Sequence, residues 1–222
     1  MRYAVLFLLL GAILAYVSRT GGQLNLLALW PAACCIAVSI SYFFYSPAIF
    51  GKLRSGRLNP ISVVLLLPYL TFTWLVWHLV RLLTRENAYD RLDERTTIGR
   101  RLLGSEFPAG IANVVDLTAE FAEPRRIVSN SNYVTFPILD ASIVSPSELT
   151  DIVSKIDEFE GSTYIHCAQG HGRTGFVTAA LLIHRDPMLT VDDAIREIQR
   201  NRPALACNQN QIMTLKKWRS AG

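Results

Sequence analysis

The chain has 222 residues, 50% of them hydrophobic, and a formal net charge of +4 at pH 7. All 18 acidic residues follow position 83, whereas residues 1–83 carry six basic side chains and no acidic one. The other 139 residues therefore hold 16 basic and 18 acidic side chains, and the positive excess belongs to the N-terminal third. This distribution excludes a nucleic-acid surface as the origin of the sequence pI of about 9.0.

The N-terminal third, residues 1–83, is predicted to be an all-α transmembrane region. It contains two uncharged stretches of 32 and 23 residues, and a bilayer core requires about 20 apolar residues in a helix. We expect spans near 24–46 and 60–82. The apolar run 3–17 is expected to be a third span, with a signal-peptide core as its alternative. The competing interpretation is that these stretches are core helices of a soluble protein.

The expected location is an integral membrane protein with its C-terminal domain in the cytoplasm. Basic clusters lie on both sides of the second span, at 52–57 and 81–95, so the positive-inside rule does not decide the orientation. A reactive cysteine is better preserved in a reducing compartment, and this favours the cytoplasm.

Polar residues 84–96 are expected to form a linker to a domain that covers residues 97–222. Strands are predicted at 97–102, 113–117, 133–138 and 163–166, with a helical turn near 105–111. Helices are predicted after a capping pattern at Ser145–Glu148 and over 173–184, 190–200 and 208–218. This alternation predicts an α/β fold with three layers, in which a parallel-rich central sheet is flanked by helices.

The stretch 166–174 reads His-Cys-Ala-Gln-Gly-His-Gly-Arg-Thr and carries the clearest chemistry. Cys167 and Arg173 bracket a loop between a β-like run and a helix, and this predicted phosphate-binding loop contains Ala168, Gln169, Gly170, His171 and Gly172. Backbone N–H groups of such loops bind anions, and an arginine can grip a phosphate at two points. The same field favours the thiolate form of Cys167, which would be the nucleophile.

Two neighbours of the loop are predicted to support it. Thr174 is expected to donate a hydrogen bond to the sulfur and to help it leave in a second step. His166 is expected to hold the loop through backbone hydrogen bonds. Nothing in the stretch is typical of a metal site, so neither a metal nor a cofactor is expected. Cys207 is either a resolving partner for an oxidised Cys167 or a buried, inert thiol.

A general acid is expected on another loop beside the pocket. Asp140 is the leading candidate because it follows a predicted strand and enters an irregular stretch before the next helix. Asp116 competes with it because it also lies near the end of a strand. Glu148 and Asp151 are alternatives, although helix capping and first-turn charge explain them.

The pattern His166-Cys167-x-x-Gly170-x-Gly172-Arg173-Thr174-Gly175 resembles the signature of cysteine-dependent dual-specificity protein phosphatases, within the protein tyrosine phosphatase superfamily. The resemblance covers roughly residues 90–219 and includes matches at 98–100, 114–117, 133–140, the helix after Pro146, Arg202-Pro203 and Gln211. It implies that Cys167 is the nucleophile, Arg173 the phosphate clamp and Asp140 the acid on a mobile loop. It also places Gln211 near the hydrolytic water, with helix capping as the alternative. Rhodanese-like and arsenate-reductase-like families match less well.

The expected function is that of a membrane-anchored phosphatase that acts through a phosphocysteine on phosphotyrosine, phosphoserine or phosphothreonine proteins. The alternative is a lipid-phosphate phosphatase. Relatives that act on highly charged inositol lipids tend to have lysines at the variable loop positions, which here are Ala168, Gln169 and His171. A singly phosphorylated lipid such as a phosphatidylglycerol phosphate therefore fits better. A non-catalytic phosphate-binding module is disfavoured because cysteine, arginine and aspartate are intact. The expected partners are a phosphorylated protein or phospholipid and a lipid bilayer, with no nucleic acid.

Overall fold

The computed structural model describes residues 2–20 and 22–221, which form two compact units. The first unit holds the chain up to Leu53 together with Arg57–Thr84 and Ala119–Phe121. The second unit holds Arg54–Gly56, Arg85–Thr118 and the chain from Ala122 onward. Predicted boundaries at 83/84 and 96/97 stay predictions.

The first unit is helical. Its α-helices are α1 (Arg2–Val17), α2 (Leu29–Phe43), α3 (Pro60–Leu65) and α4 (Leu67–Leu83), and 3-10 helices cover Gln23–Ala28 and Pro47–Phe50. Among the described residues, one continuous helical run, Gln23–Phe43, is long and apolar enough to cross a membrane, while α1 is apolar but shorter. The stretch predicted as a span near 60–82 is instead divided at Leu66. Pro68 explains the division because it lacks the N–H that would bond the preceding turn.

The second unit is built on a mixed sheet of five strands within the described chain, in the order β1-β2-β5-β3-β4. The strands are β1 (Tyr89–Arg91), β2 (Thr96–Arg100), β3 (Asn113–Thr118), β4 (Asn132–Ile138) and β5 (Thr163–Cys167). Strands β2, β5, β3 and β4 run parallel, and β1 pairs with β2 in the antiparallel direction. Every residue of β3 and β5 is buried, as expected for central strands covered on both faces.

Helices cover the two faces of this sheet. They are α5 (Arg125–Ser129), α6 (Pro146–Asp157), α7 (Gly172–Arg185), α8 (Val191–Asn201) and α9 (Gln209–Ala221). Because side chains alternate along a strand, Val115 and Ile165 pack under α6–α9, whereas Val114 and Tyr164 pack with Ile127 of α5 on the opposite face. The predicted α/β architecture with a parallel-rich sheet flanked by helices is confirmed.

Two local predictions for this unit differ from the structure, and one short helix has no prediction. The helical turn expected near 105–111 is wrong, since turns at 104–106 and 109–110 replace it. Residues 89–91 of the expected linker form β1, and the sequence Tyr-Asp-Arg lacks the apolar alternation that would have predicted a strand. Helix α5 was not predicted because it is only five residues long.

Candidate active site

The predicted nucleophile, Cys167, lies at the carboxyl end of the central strand. Cys167 is the last residue of β5, and it is 3% exposed. The next residues turn sharply into α7, which begins at Gly172. Ligands of parallel sheets bind at this edge, and the positive end of the α7 dipole faces the same place. The strand-loop-helix arrangement predicted around Cys167 is therefore present.

The loop backbone is packed directly on the end of β2. Gly170 has φ +73°, and a Cβ there would overlap the backbone of Gly99 and lie 2.6 Å from Arg100 N. Only glycine combines this φ with such close backbone approach. The N–H of Arg101 donates to Cys167 O at 2.7 Å and to Ala168 O at 3.2 Å. The first half of the loop is thus anchored through its carbonyl groups.

Arg173 joins the loop to the predicted acid. Its guanidinium is buried, with Nη1 donating to Ile138 O at 3.0 Å and Nη2 lying 3.2 Å from Asp140 Oδ1. The Asp140 side chain is 65% exposed, so the carboxylate lies at the surface end of this ion pair. The structure therefore brings the predicted phosphate clamp and the leading acid candidate together at one site.

The competing carboxylates are engaged elsewhere. Asp116 is fully buried, and its oxygens accept bonds from Thr118 N, Thr118 Oγ1 and Tyr133 Oη. Glu148 forms a capping box with Ser145, whose hydroxyl and N–H groups lower the pKa of the Glu148 carboxyl. Asp151 is exposed in α6. The geometry favours Asp140 as the acid.

The segment after Asp140 is fixed by the start of α9. Ala141 has a left-handed φ of 52°, and its carbonyl accepts a bond of 2.8 Å from Asn208 Nδ2. Gln211 Nε2 donates to Ser142 O at 3.0 Å. Gln211 Oε1 accepts from Asn208 N at 3.0 Å, and Gln211 N donates to Asn208 Oδ1 at the same distance. Both polar ends of Gln211 thus serve the helix cap and the acid loop, which favours the capping alternative.

His166, which precedes Cys167 in β5, belongs to a buried polar cluster. Its ring stacks on Tyr164, and Nε2 lies 3.8 Å from Glu123 Oε1. Ligand atoms of His166, Glu123 and Asp116 lie within 4.8 Å of one another, a spacing that suits a metal ion. However, Asp116 already accepts the bonds described above, and Arg101 Nε lies 3.6 Å from Glu123 Oε2. We interpret the cluster as an ionic and hydrogen-bonded support and assign no metal to it.

The remaining predicted residues divide between the site and the core. Thr174 Oγ1 is buried and has no hydrogen-bond partner among the residues that the structure describes. Its donation to Cys167 stays a prediction. Cys207 Sγ lies 3.1 Å from the point where a Cβ on Gly175 would stand, and burial raises the pKa of the Cys207 thiol to about 12. A thiol held neutral in this way favours the inert alternative over a resolving role.

Two charged contacts at the loop were missed by the sequence reasoning. His171 Nε2 lies 2.7 Å from Glu86 Oε2. Arg202, which is 2% exposed, donates from Nε to Gly170 O at 2.9 Å and from Nη2 to Gln169 O at 3.2 Å. In the sequence, Arg202 stands out only through the family resemblance. Glu86 had no signal in the sequence, because a charged residue in a polar segment is typical of solvated surface.

Comparison with known proteins finds a family model and a relative that match part of the chain. The family model described as "Dual specificity phosphatase, catalytic domain" matches residues 108–221, which is about half of the chain. The 197R protein of Invertebrate iridescent virus 6, which bears the name of a tyrosine phosphatase, is 32% identical over 105 residues. That match covers 42% of this chain and 39% of the viral protein, so it spans well under half of that relative's length.

Solved structures share the fold of the second unit. Tk-PTP in its active form has a TM-score of 0.55 and 25% identity, covering 60% of this chain and 97% of Tk-PTP. PTPMT1 in complex with PI(5)P has a TM-score of 0.54 and 17% identity, covering 61% of this chain and 96% of PTPMT1. At 17% identity the second likeness concerns the fold alone.

Proposed function

Because the chain belongs to the dual specificity phosphatase family through its catalytic domain, we propose that it hydrolyses phosphate monoesters through a phosphocysteine intermediate. One observation carries the proposal: Arg173, at the start of α7, pairs with Asp140 beside the loop that begins at Cys167. A nucleophile, an anion clamp and an acid thus belong to a single site. Phosphate-monoester cleavage by a thiolate needs this set: a nucleophile, a cradle for the phosphoryl oxygens and an acid for the leaving oxygen.

In the first step, Sγ of Cys167 forms a bond to phosphorus while the bond to the leaving oxygen breaks. Arg173 and the loop N–H groups bind the phosphoryl oxygens, and Asp140 gives its proton to the leaving oxygen. The incoming phosphate competes with Asp140 for Arg173.

In the second step, Asp140 is a carboxylate and takes a proton from water. The water oxygen forms a bond to phosphorus, and the sulfur–phosphorus bond breaks to release phosphate and the Cys167 thiolate. Thr174 Oγ1 donates to the departing sulfur, which gives this buried hydroxyl a partner. Gln211 holds the loop that carries Asp140, through its bond to Ser142 O.

Exchange of the cysteine nucleophile tests the reaction. Cys167→Ser in the full chain should lower hydrolysis of an aryl phosphate by more than about 10⁴-fold, because the hydroxyl is a far weaker nucleophile at neutral pH. Cys207→Ser is the matched control and should keep most of the activity. Metal chelators should leave the wild-type rate unchanged. Activity that survives Cys167→Ser, or that chelators abolish, would refute the phosphocysteine mechanism.

We further propose that the protein is an integral membrane protein whose phosphatase unit faces the cytoplasm and acts on phosphorylated proteins. The apolar run Gln23–Phe43 supports membrane insertion by its length and composition. The loop has neutral Ala168 and Gln169, and its His171 is paired with Glu86, so a highly charged polyphosphate finds few cations here. A substrate with a single phosphate group suits this lining better.

A lipid phosphate is the alternative substrate, because the solved PTPMT1 structure with a similar fold holds PI(5)P. Rates on phosphopeptides and on vesicles that carry a singly phosphorylated lipid distinguish the two. Faster turnover of phosphopeptides by the full chain supports the protein-phosphatase proposal. Faster turnover of vesicle lipid would replace it with the lipid alternative and leave the phosphocysteine chemistry intact.

A further inference from the structure

The loop carbonyls accept bonds in sequence from two arginines. The carbonyls of Cys167 and Ala168 accept from the backbone N–H of Arg101. Those of Gln169 and Gly170 accept from the side chain of Arg202. In a trans peptide the C=O and the following N–H point in opposite directions, and no cis peptide bond is present among the described residues. Each carbonyl that bonds to an arginine outside the loop therefore directs the following N–H group toward the other side of the loop, where an anion would bind.

Arg202 is the side-chain half of this arrangement, and its guanidinium donates four hydrogen bonds. Beyond the two loop carbonyls, Nη1 donates to Asn87 O at 3.1 Å and to Asp90 Oδ2 at 2.7 Å. Nη2 also lies 3.5 Å from Glu86 Oε2. A guanidinium has five N–H donors in a rigid fork, whereas a lysine has three on a flexible stem. The site therefore uses more donors than a lysine offers.

Glu86 and Asp90 balance the positive charge of the buried Arg202. Arg202 is 2% exposed, and a buried cation is costly unless it is paired and hydrogen-bonded. Glu86 and Asp90 supply the countercharge, and Glu86 also pairs with His171 of the loop. Both carboxylates precede residue 108, where the match to the catalytic-domain family begins. The upstream segment 86–90 therefore contributes directly to the geometry of the loop.

We propose that Arg202 is a positioning residue that orients the peptide planes of the phosphate-binding loop, and that Glu86 and Asp90 act through it. This inference rests on the proposed function, since it names the device that prepares the loop for a phosphate. Arg202 does not touch the reacting atoms. Its removal is expected to let the carbonyls of Gln169 and Gly170 rotate, so that fewer N–H groups face the anion.

Phosphate binding by the full chain provides the test. Arg202→Met and Arg202→Lys should each raise the dissociation constant of inorganic phosphate, measured by calorimetry, about tenfold or more, and Asp90→Asn about threefold. KM for an aryl phosphate should rise with it. Arg200→Met, at an exposed position of α8, is the matched control and should bind phosphate like the wild type. If Arg202→Met does not fold, the phosphate affinities of Arg202→Lys and Asp90→Asn test the positioning role.

A double-mutant cycle separates positioning from mere stabilisation. If Asp90 acts through Arg202, then Asp90→Asn should not weaken phosphate binding further in the Arg202→Met background. Additive effects would overturn this coupling, and lower melting temperatures with unchanged phosphate binding would overturn the positioning role. Wild-type protein that binds phosphate but turns over no aryl phosphate would refute the proposed function while leaving the effect of Arg202 on binding measurable.

Discussion

Gly170→Ala offers a quantitative test of how tightly the loop is packed on β2. The new Cβ would lower the stability of the fold for two reasons. A left-handed backbone disfavours any side chain by about 1–2 kcal/mol. In addition, the Cβ would overlap the backbone of Gly99 and approach Arg100 N to 2.6 Å. Strand β2 is hydrogen-bonded to a strand on each side, so its backbone can move little to relieve the overlap. Overpacking therefore adds about 1–3 kcal/mol to the loss of stability. The expected total loss of stability is about 2–5 kcal/mol.

Two other glycines separate these costs. Gly110 has φ +83° and open space around its Cβ position, so Gly110→Ala measures the conformational cost alone. At Gly172 the nearest atom to a new Cβ is Gln211 Oε1 at 3.6 Å, an ordinary contact, and φ is not left-handed. Gly172→Ala should therefore change stability by less than about 0.5 kcal/mol. The gain from restricting the unfolded chain is common to all three variants and cancels in the comparison.

Thermal unfolding and phosphate binding of the three full-length variants provide the measurement. One kcal/mol shifts Tm by about 2–4 °C in a domain of 150–250 residues, so Gly170→Ala should melt at least about 4 °C below the wild type. Its phosphate affinity should also fall, because a loop displaced by about 1 Å costs up to about 100-fold in positioning. Tm and phosphate affinity no lower than in Gly110→Ala would refute the argument that the loop is held against β2.

Three further outcomes are expected. Asp140→Ala should slow phenyl phosphate hydrolysis by about 10²-fold or more but slow p-nitrophenyl phosphate hydrolysis far less, since a good leaving group needs no acid; equal losses would assign the acid elsewhere. Thr174→Val should lower the rate of phosphocysteine hydrolysis without lowering Tm, because the buried hydroxyl has no partner among the described residues; a lower Tm with normal turnover would contradict this. Burial raises the pKa of Cys207 from 9.0 to about 12, so the stability gained from its neutral thiol is complete below pH 9 and declines between pH 9 and 12. Cys207→Ala should remove that decline in a Tm-against-pH series, and rapid alkylation of Cys207 at pH 8 would contradict the burial.

The parts of the fold that could be predicted from the sequence are those with local causes. The capping box of Ser145 and Glu148 marks the start of α6, and both halves of it are present. The order of strand, cysteine loop and helix around Cys167 is encoded within about 25 consecutive residues. Short polar elements such as β1 lack this encoding because their stability comes from pairing with β2 rather than from their own pattern.

The supports of the site could not be predicted for a related reason. Arg202 and Asp90 are separated by 112 residues, and no local spacing links a charged residue in a polar segment to one that follows a helix. These charged side chains support the loop only because the fold buries them beside it. Arg173 shows the contrast, since its spacing from Cys167 is fixed by the loop itself and its role was predicted.

The loop has two electrostatic sides, and each needs its own partner. Its carbonyl side is satisfied permanently, by the Arg101 N–H and by Arg202 with its paired Asp90. Its N–H side, with Arg173 and the positive end of α7, gathers positive potential that requires an anion. Without phosphate, Asp140 supplies that negative charge through its ion pair with Arg173. In the proposed mechanism, phosphate replaces Asp140 at the guanidinium, so the event that binds the substrate also frees the carboxyl group to act on the leaving oxygen.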